Sequence, residues 1–306
     1  MTGVNILQFG VNGQLARELQ RAADADDEIG LQVVPRAEAD FFRPEQVAHA
    51  VHETRSVDIV VNATAYTAVD KAETDEAMAL LVNGEAVGAL AAACAARGVP
   101  LIHVSTDYVF DGSKPAPYVE TDPTAPISAY GRTKLAGETA IRAALPGHVI
   151  LRTSWVYSAH GINFVKTMLR LGAEREELRI IDDQHGAPTS AADLARAITG
   201  IARQLTAGSK AFGTYHYAGG GATTWRGFAE AIFARAAEAG GRRPRVVPIG
   251  TADYPTPARR PLNSRLDCGK ITRAFGIQLV PWQDALGAVL AELHAGNEQD
   301  VKGSRP

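Results

Sequence analysis

The chain has 306 residues, 46% of them hydrophobic, which suffices for one large or two moderate domains around a sizeable core and excludes a disordered chain. Its net charge of -3 comes from interspersed signs, so there is no basic stripe for nucleic acid, and no apolar run is expected to reach across a bilayer. Only Cys94 and Cys268 occur, which argues against a disulfide framework or zinc cluster and, with no charged-then-apolar leader at the start, for a reduced, cytoplasmic setting.

The apolar run Val4 to Phe9 leads into Gly10-Val11-Asn12-Gly13-Gln14-Leu15-Ala16 and a helical pattern. Gly10 permits a tight turn, Gly13 lets backbone approach a pyrophosphate, and Ala16, where a third glycine is usual, still allows close helix packing. The Gly-x-x-Gly spacing carries little by itself; its strand and helix context makes Gly10, Asn12, Gly13, Gln14 and Leu15 candidates for a dinucleotide. After a second strand over Gly30 to Val34, no acid stands near Pro35 and Arg36. An acid would accept bonds from a free ribose hydroxyl, whereas Arg36 can pair with a phosphate, so NADPH is favoured with NADH left open. Arg36 as a solvated loop cation is the alternative. Asp40 and Phe41 either flank the adenine or cap a helix beginning near Pro44.

A third strand, Val57 to Ala63, ends at Ala63, Thr64, Ala65 and Tyr66, where backbone passes the cofactor unless the small side chains only serve packing. Asp70 to Arg97 reads as helical, and Asn83 within it either bonds backbone and supports a proton-relay water or is solvated. The short apolar strand Val99 to Val104 delivers Ser105 and Thr106 to the carboxyl edge of the sheet, where open α/β sheets bind ligands. The helix over Ser128 to Ala144 follows, placing Tyr130 and Lys134 at i and i+4 on one face. A Lys134 ammonium there is expected to lower the phenol from ~10 toward the working range of proton transfer. Alone the Tyr-x-x-x-Lys spacing is weak; the preceding strand gives it force. With a fifth strand, His148 to Thr153, the alternation implies a Rossmann-type, doubly wound parallel α/β sheet.

After Trp155 the regularity breaks. Helices are expected over 163–171 and 190–204, a strand over 178–181, and an added main-sheet strand over 214–218, with Gly219-Gly220-Gly221 as a breaker before a helix capped by Thr224. The expected division is a dinucleotide domain over 1–155 and 186–217, a smaller substrate lobe over 156–185 and 218–296, and a flexible tail over 297–306. The cleft between them is the expected substrate site. Trp155 either stacks on the substrate or packs a core; Asn163 either bonds the sugar nucleotide or caps a helix. Arg259, Arg260 and Arg265 offer guanidinium forks to a diphosphate, against simple surface solvation. Glu18 and Glu292 lack hard-cation spacing and read as solvated faces.

Six blocks together carry a resemblance: Gly10 to Ala16, Val61 to Glu73, Ser105 to Gly112, Tyr130 to Lys134, Arg152 to Tyr157 and Asp183 to Thr189, with Arg260 to Leu266 beyond them. They resemble the extended short-chain dehydrogenases/reductases, and among these the dTDP-4-dehydrorhamnose reductase family. The resemblance implies NAD(P)H-dependent reduction of the 4-keto group of a dTDP-sugar, dTDP-4-dehydro-β-L-rhamnose, to dTDP-L-rhamnose for cell-surface polysaccharide. It implies Tyr130 as general acid, Thr106 polarising the carbonyl, Lys134 bonding the nicotinamide ribose, and Asp107 and Trp155 meeting the sugar nucleotide. It also brings magnesium (Mg2+) at subunit contacts, with no ligands placed; a homodimer is one assembly open to the chain, whose oligomeric state the sequence leaves unfixed. The rivals are a nucleotide-sugar epimerase and a non-catalytic NADP-binding regulatory subunit. A dehydratase is disfavoured because Tyr108 stands where that pattern has Glu, and the joint presence of Thr106, Tyr130 and Lys134 speaks against a non-catalytic module.

Overall fold

The computed structural model describes residues 3–303. Six parallel strands build the main sheet: Val4–Phe9, Ile29–Val34, Ile59–Asn62, Leu101–Thr106, His148–Thr153 and Gly213–His216. Counting strands by their place in the chain, the order from one edge is second, first, third, fourth, fifth, sixth. The chain therefore reverses its winding between Val4–Phe9 and Ile59–Asn62, and a crevice opens outside their carboxyl ends. The register sets Phe9 level with Asn62 and Thr106 level with Thr153, so one edge of the sheet presents all the turns that follow.

Strand alternation decides which helices cover which face. Ile6, Ile59, Val61, Ile102 and Val149 pack with Leu15, Leu19, Leu194 and Ile198, from helices Gln14–Asp24 and Ala191–Thr206. Leu7, Phe9, Val60, Leu101 and Ile150 face the other way, onto Val47, Val51, Leu90 and Ile141 of helices Pro44–Glu53, Ala86–Arg97 and Ala129–Ala144. A second core forms where the parallel pair Glu177–Ile181 and Arg245–Ile249 is covered by Phe164–Glu174, Trp225–Glu238 and Trp282–Gly303. There Tyr157, Val165, Phe228, Ile232, Phe233 and Leu286 are buried.

Several expectations need correction. The helix expected over 70–97 is not continuous: Val69–Ala72 ends, Glu76–Leu80 begins, and a π-helical turn, Leu81–Glu85, precedes Ala86–Arg97. Its stretch Glu76–Arg97 is long and apolar enough to cross a membrane by length and composition, contrary to the expectation. The apolar residues have another use, since Leu90, Ala91 and Cys94 are fully buried against the sheet. Helix Gly269–Phe275, placed in the lobe by sequence, puts Ile271 and Phe275 into the main-sheet core beside Tyr215. Glu18 is no solvated acid: it is buried, and it shares Arg21 with Glu292 while facing His160. The segment assigned to a flexible tail begins inside the last helix, Trp282–Gly303, and its residues 304–306 lie outside the described ones. Cys94 and Cys268 are both free and buried.

Candidate active site

Two cavities of about 430 and 570 Å³ lie end to end along the carboxyl edge of the sheet and share Asn12, Thr64 and Ala65 in their walls. Gly10 has φ +100°, a left-handed conformation in which a Cβ would lie 3.0 Å from Thr64 Oγ1, whereas a Cβ at Gly13 would meet nothing. That position is glycine because the backbone must be open to something else. Helix Gln14–Asp24 starts there with no side-chain cap and no acid in its first turn, which leaves its amides and positive end facing the groove. A dinucleotide pyrophosphate fits these features.

The smaller cavity is walled by Gly10, Arg36, Asp40, Phe41 and Tyr66. Arg36 is mostly exposed and reaches Asp40 Oδ2 with both Nε and a terminal nitrogen at 3.3 Å. Asp40 caps no helix; its Oδ1 accepts from Phe42 N. The opposite wall is held by Asn83, which the π-helical turn aims inward: its Oδ1 accepts from Tyr66 N at 2.8 Å, and its Nδ2 donates to Tyr66 O and Thr133 Oγ1. Asn83 is fully buried and not a solvated residue; it bonds backbone, as the first of its two readings has it, and clamps the turn after the third strand.

The larger cavity contains Gly13, Gln14, Leu15, Ala63, Thr106, Asp107, Tyr130, Lys134 and Trp155. Strand Leu101–Thr106 ends in a 3-10 turn, Asp107–Val109, that folds its hydroxyls inward. Thr106 Oγ1 accepts from Tyr108 N and donates to Asp107 Oδ1 at 3.0 Å. Ser105 turns away, donating to the buried Glu138 Oε1 at 2.6 Å. Burial pushes the Asp107 carboxyl up to about 7, against hydrogen bonds from Ser264 and Thr106. Its Oδ2 and Thr153 Oγ1 are buried without partners among the described residues, as expected of a site that receives polar groups.

Tyr130 and Lys134 sit on one face of helix Ala129–Ala144, whose start is capped by Ser128. Their relation differs from the one expected. Lys134 is buried, donates to Val104 O at 2.8 Å and lies 3.1 Å from His103 Nε2. Burial lowers its pKa to about 8, against the pull of Glu138. Burial and then the charge of Asp107 push the Tyr130 phenol up to about 12, while a hydrogen bond with Thr106 acts the other way. The expectation that Lys134 depresses the phenol is therefore overturned: the amine points into the sheet, and desolvation dominates.

Trp155 has φ +47, the left-handed conformation that only this non-glycine residue adopts among the described residues, a strain of the kind found at ligand clamps. Its indole stacks on Trp225, and a Cβ at Gly186 would stand 2.5 Å from it. Trp225, Thr67 and Ser154 also line the cleft and have no local mark that singles them out from sequence, and Tyr108, singled out only against a dehydratase, lines it too. Asn163 caps its helix by accepting from Lys166 N, and its Nδ2 donates to Gln14 Oε1. Gln14 is thereby tied to the loop opposite and also donates to Val156 O. Arg260 is not brought into the cleft. It lines a neighbouring cavity of about 740 Å³, bidentate to Asp70 at 2.8 and 2.9 Å, so its fork is already filled. Arg265 is held by Asn263. Among the described residues no group of three or more His, Cys, Asp or Glu is placed to hold a metal.

Comparison with known proteins identifies the family. A model described as the RmlD substrate binding domain matches residues 4–295. A dTDP-4-dehydrorhamnose reductase of Sinorhizobium fredii is 49% identical over 278 residues, covering 90% of this chain and 93% of that protein. The crystal structure of a dTDP-4-dehydrorhamnose reductase from Clostridium acetobutylicum aligns with a TM-score of 0.88 at 35% identity, covering 95% of this chain and 100% of that one. One from Bacillus anthracis, in complex with NADP, aligns with a TM-score of 0.87 at 34% identity, covering 95% and 99%. With that match along nearly its whole length and relatives this similar, the chain belongs to the RmlD family, that of the dTDP-4-dehydrorhamnose reductases.

Proposed function

We propose that this protein reduces the 4-keto group of dTDP-4-dehydro-β-L-rhamnose with NADPH, Tyr130 giving the proton that completes the alcohol. The observation that carries this reading is the meeting of Thr106, Asp107 and Tyr130 in the same cleft as the open glycine turn. The names of the relatives and the NADP in the Bacillus anthracis structure support the sugar and the cofactor.

Gly10, Asn12 and Gly13 would hold the diphosphate of NADPH, with Phe41 and Tyr66 beside the adenosine. Arg36 suits a ribose phosphate, because its exposed contact with Asp40 is worth little and is readily exchanged. When bound, the reduced nicotinamide supplies a hydride. The protein's own part is the proton. A phenol held near 12 stays protonated at neutral pH, the form a donor to a carbonyl oxygen must have. The alkoxide formed by reduction is a stronger base than that phenolate, so transfer runs downhill. Thr106 hydrogen-bonds the same oxygen, and Asp107 Oδ2 accepts from a sugar hydroxyl. Lys134 orients the ribose end of the nicotinamide, and Trp155 with Trp225 walls the sugar. The loss of reduced-nicotinamide absorbance tests the reading: NADPH is consumed with dTDP-4-dehydrorhamnose and more slowly with the uridine counterpart. No consumption with either sugar overturns it, and tightly retained oxidised cofactor with epimerised sugar would favour an epimerase.

A further inference from the structure

Beneath the cleft a chain of three buried side chains runs from Asn62 through His103 to Lys134. Asn62 and His103 are fully buried, and Lys134 is 1% exposed. Asn62 Nδ2 is 3.0 Å from His103 Nδ1, and His103 Nε2 is 3.1 Å from Lys134 Nζ. Which group donates at each step follows from one further contact: Asn62 Oδ1 accepts from Thr64 N at 2.9 Å. A backbone N–H needs an acceptor, so the Asn62 amide cannot be reversed, and its NH2 faces the imidazole as a donor. His103 Nδ1 is then an acceptor and carries no proton. A neutral imidazole holds its one proton on the other nitrogen, so Nε2–H points at Lys134. An ammonium has three N–H bonds and no lone pair, and cannot receive it. A neutral amine can: one N–H donates to Val104 O, and the lone pair accepts from His103.

We infer that His103 is a positioning residue that donates from Nε2 to the neutral amine of Lys134 and so favours that form over the ammonium in the free protein. This deepens the reading of Lys134 as the amine of the reductase pair and rests on it. The surroundings agree. Burial holds His103 well below its ordinary value, and the charge of Lys134 acts the same way whenever that side chain is protonated, so the imidazole is uncharged at neutral pH. The other titratable groups facing Lys134 are Tyr130 and Glu138 of its own helix. The Glu138 carboxylate is occupied by Ser105, Arg142 and Arg152 from the strands and the next helical turn. Protonating Lys134 would require Nε2 to lose its hydrogen to Nδ1, and the Asn62 amide to turn over and release Thr64 N. Thr64 lines both halves of the dinucleotide groove. The charge on Lys134 and the shape of the cofactor wall are thereby linked through three contacts.

The test needs no substrate. In the free protein, long-range proton–nitrogen NMR of 15N-histidine reads the tautomer, with the His103 signals assigned by their loss in His103→Gln. With the pH held above the Lys134 titration near 8, the expected result is a protonated Nε2 and a bare Nδ1. Asn62→Asp places a carboxylate that accepts from both Thr64 N and His103. The tautomer should then switch to Nδ1–H, and the Lys134 titration, followed by lysine NMR, should move up from about 8 toward the ordinary lysine value. A native His103 that carries its proton on Nδ1, or on both nitrogens, above that pH overturns the inference. So does an Asn62→Asp protein in which tautomer and titration stay put; if that variant does not fold, the native tautomer still decides. Because no ketone is reduced in this experiment, its failure is separate from failure of the absorbance assay.

Discussion

Trp155 and Trp225 stack with ring centroids 3.6 Å apart and planes 10° from parallel. Trp225 also lines the neighbouring cavity that holds Arg260 and Asp70, and donates from its indole nitrogen to Gln184 Oε1. The pair is thus a partition whose one side is the cleft lined by Thr106 and Tyr130. Replacing Trp225 by Ala removes a contact worth ~0.5–1.5 kcal/mol, and the KM for the sugar nucleotide should rise roughly two- to tenfold while that for NADPH stays near its value. Trp225→Phe should recover most of the loss. Steady-state kinetics with each substrate varied in turn decides this, and equal effects on both constants would remove Trp225 from the sugar site.

Tyr130→Phe deletes the hydroxyl and keeps the ring that packs edge-on against Tyr108 at 6.0 Å. Turnover should fall about 10²- to 10⁴-fold, the usual contribution of a positioned acid. NADPH affinity, read by fluorescence titration, should be unchanged within about twofold. A variant turning over at near-normal rate would take the proton-donor role from Tyr130.

Arg152 and Glu138 form a doubly hydrogen-bonded ion pair, 2.7 and 2.9 Å long, at a site from which water is excluded. It ties the helix bearing Tyr130 to strand His148–Thr153. Arg152→Met leaves a buried carboxylate short of its main partner and should cost about 3–5 kcal/mol of unfolding free energy. The double replacement Arg152→Met with Glu138→Leu should cost much less, because no charge is stranded. Denaturant melts of the four proteins measure the difference, and additive losses would refute the pairing argument.

Asp107 gives a pH test with a definite sign. Its carboxyl is raised from the ordinary 3.8 to about 7, first by burial. The folded state therefore binds a proton that the unfolded chain has released, and this contribution to stability is full below 3.8 and lost as pH rises through about 7. Lys134 is lowered from 10.5 to about 8, so its contribution is present above 10.5 and is lost as pH falls through about 8. The two windows do not overlap. Asp107→Asn should consequently gain stability relative to the native protein across the acid window and run parallel to it above. Melting temperatures over that range test this; a constant offset would show that Asp107 titrates as an ordinary carboxylate.

Much of the main sheet was legible because its strands are short apolar runs and its helices carry a 3.6-residue period, both local properties. The strand over 148–153, read from the alternation of runs, and the added strand expected over 214–218 both pair in the sheet. The turn at Gly10 to Leu15 and the trio Thr106, Tyr130 and Lys134 were legible as well, since residue type and spacing bring them to one edge once the strands are parallel.

What eluded the sequence were relations between residues far apart in the chain. Nothing near Arg260 announces Asp70, nothing near Trp155 announces Trp225, and the helix Gly269–Phe275 has no local mark that sends it to the main sheet rather than the lobe. The helix over 70–97 broke where the chain needed Asn83 turned inward to hold Tyr66, a demand set by another element.

By itself, then, the amino-acid order determined the layer pattern and which chemical groups reach the groove, because periodicity and side-chain direction are set within a few residues. Only the tertiary structure decided how those groups are charged and paired. Desolvation, which raises Tyr130 and Asp107 and lowers Lys134, exists only once distant segments have closed over them, and the proton between His103 and Lys134 is placed by an amide forty-one residues before His103 in the chain.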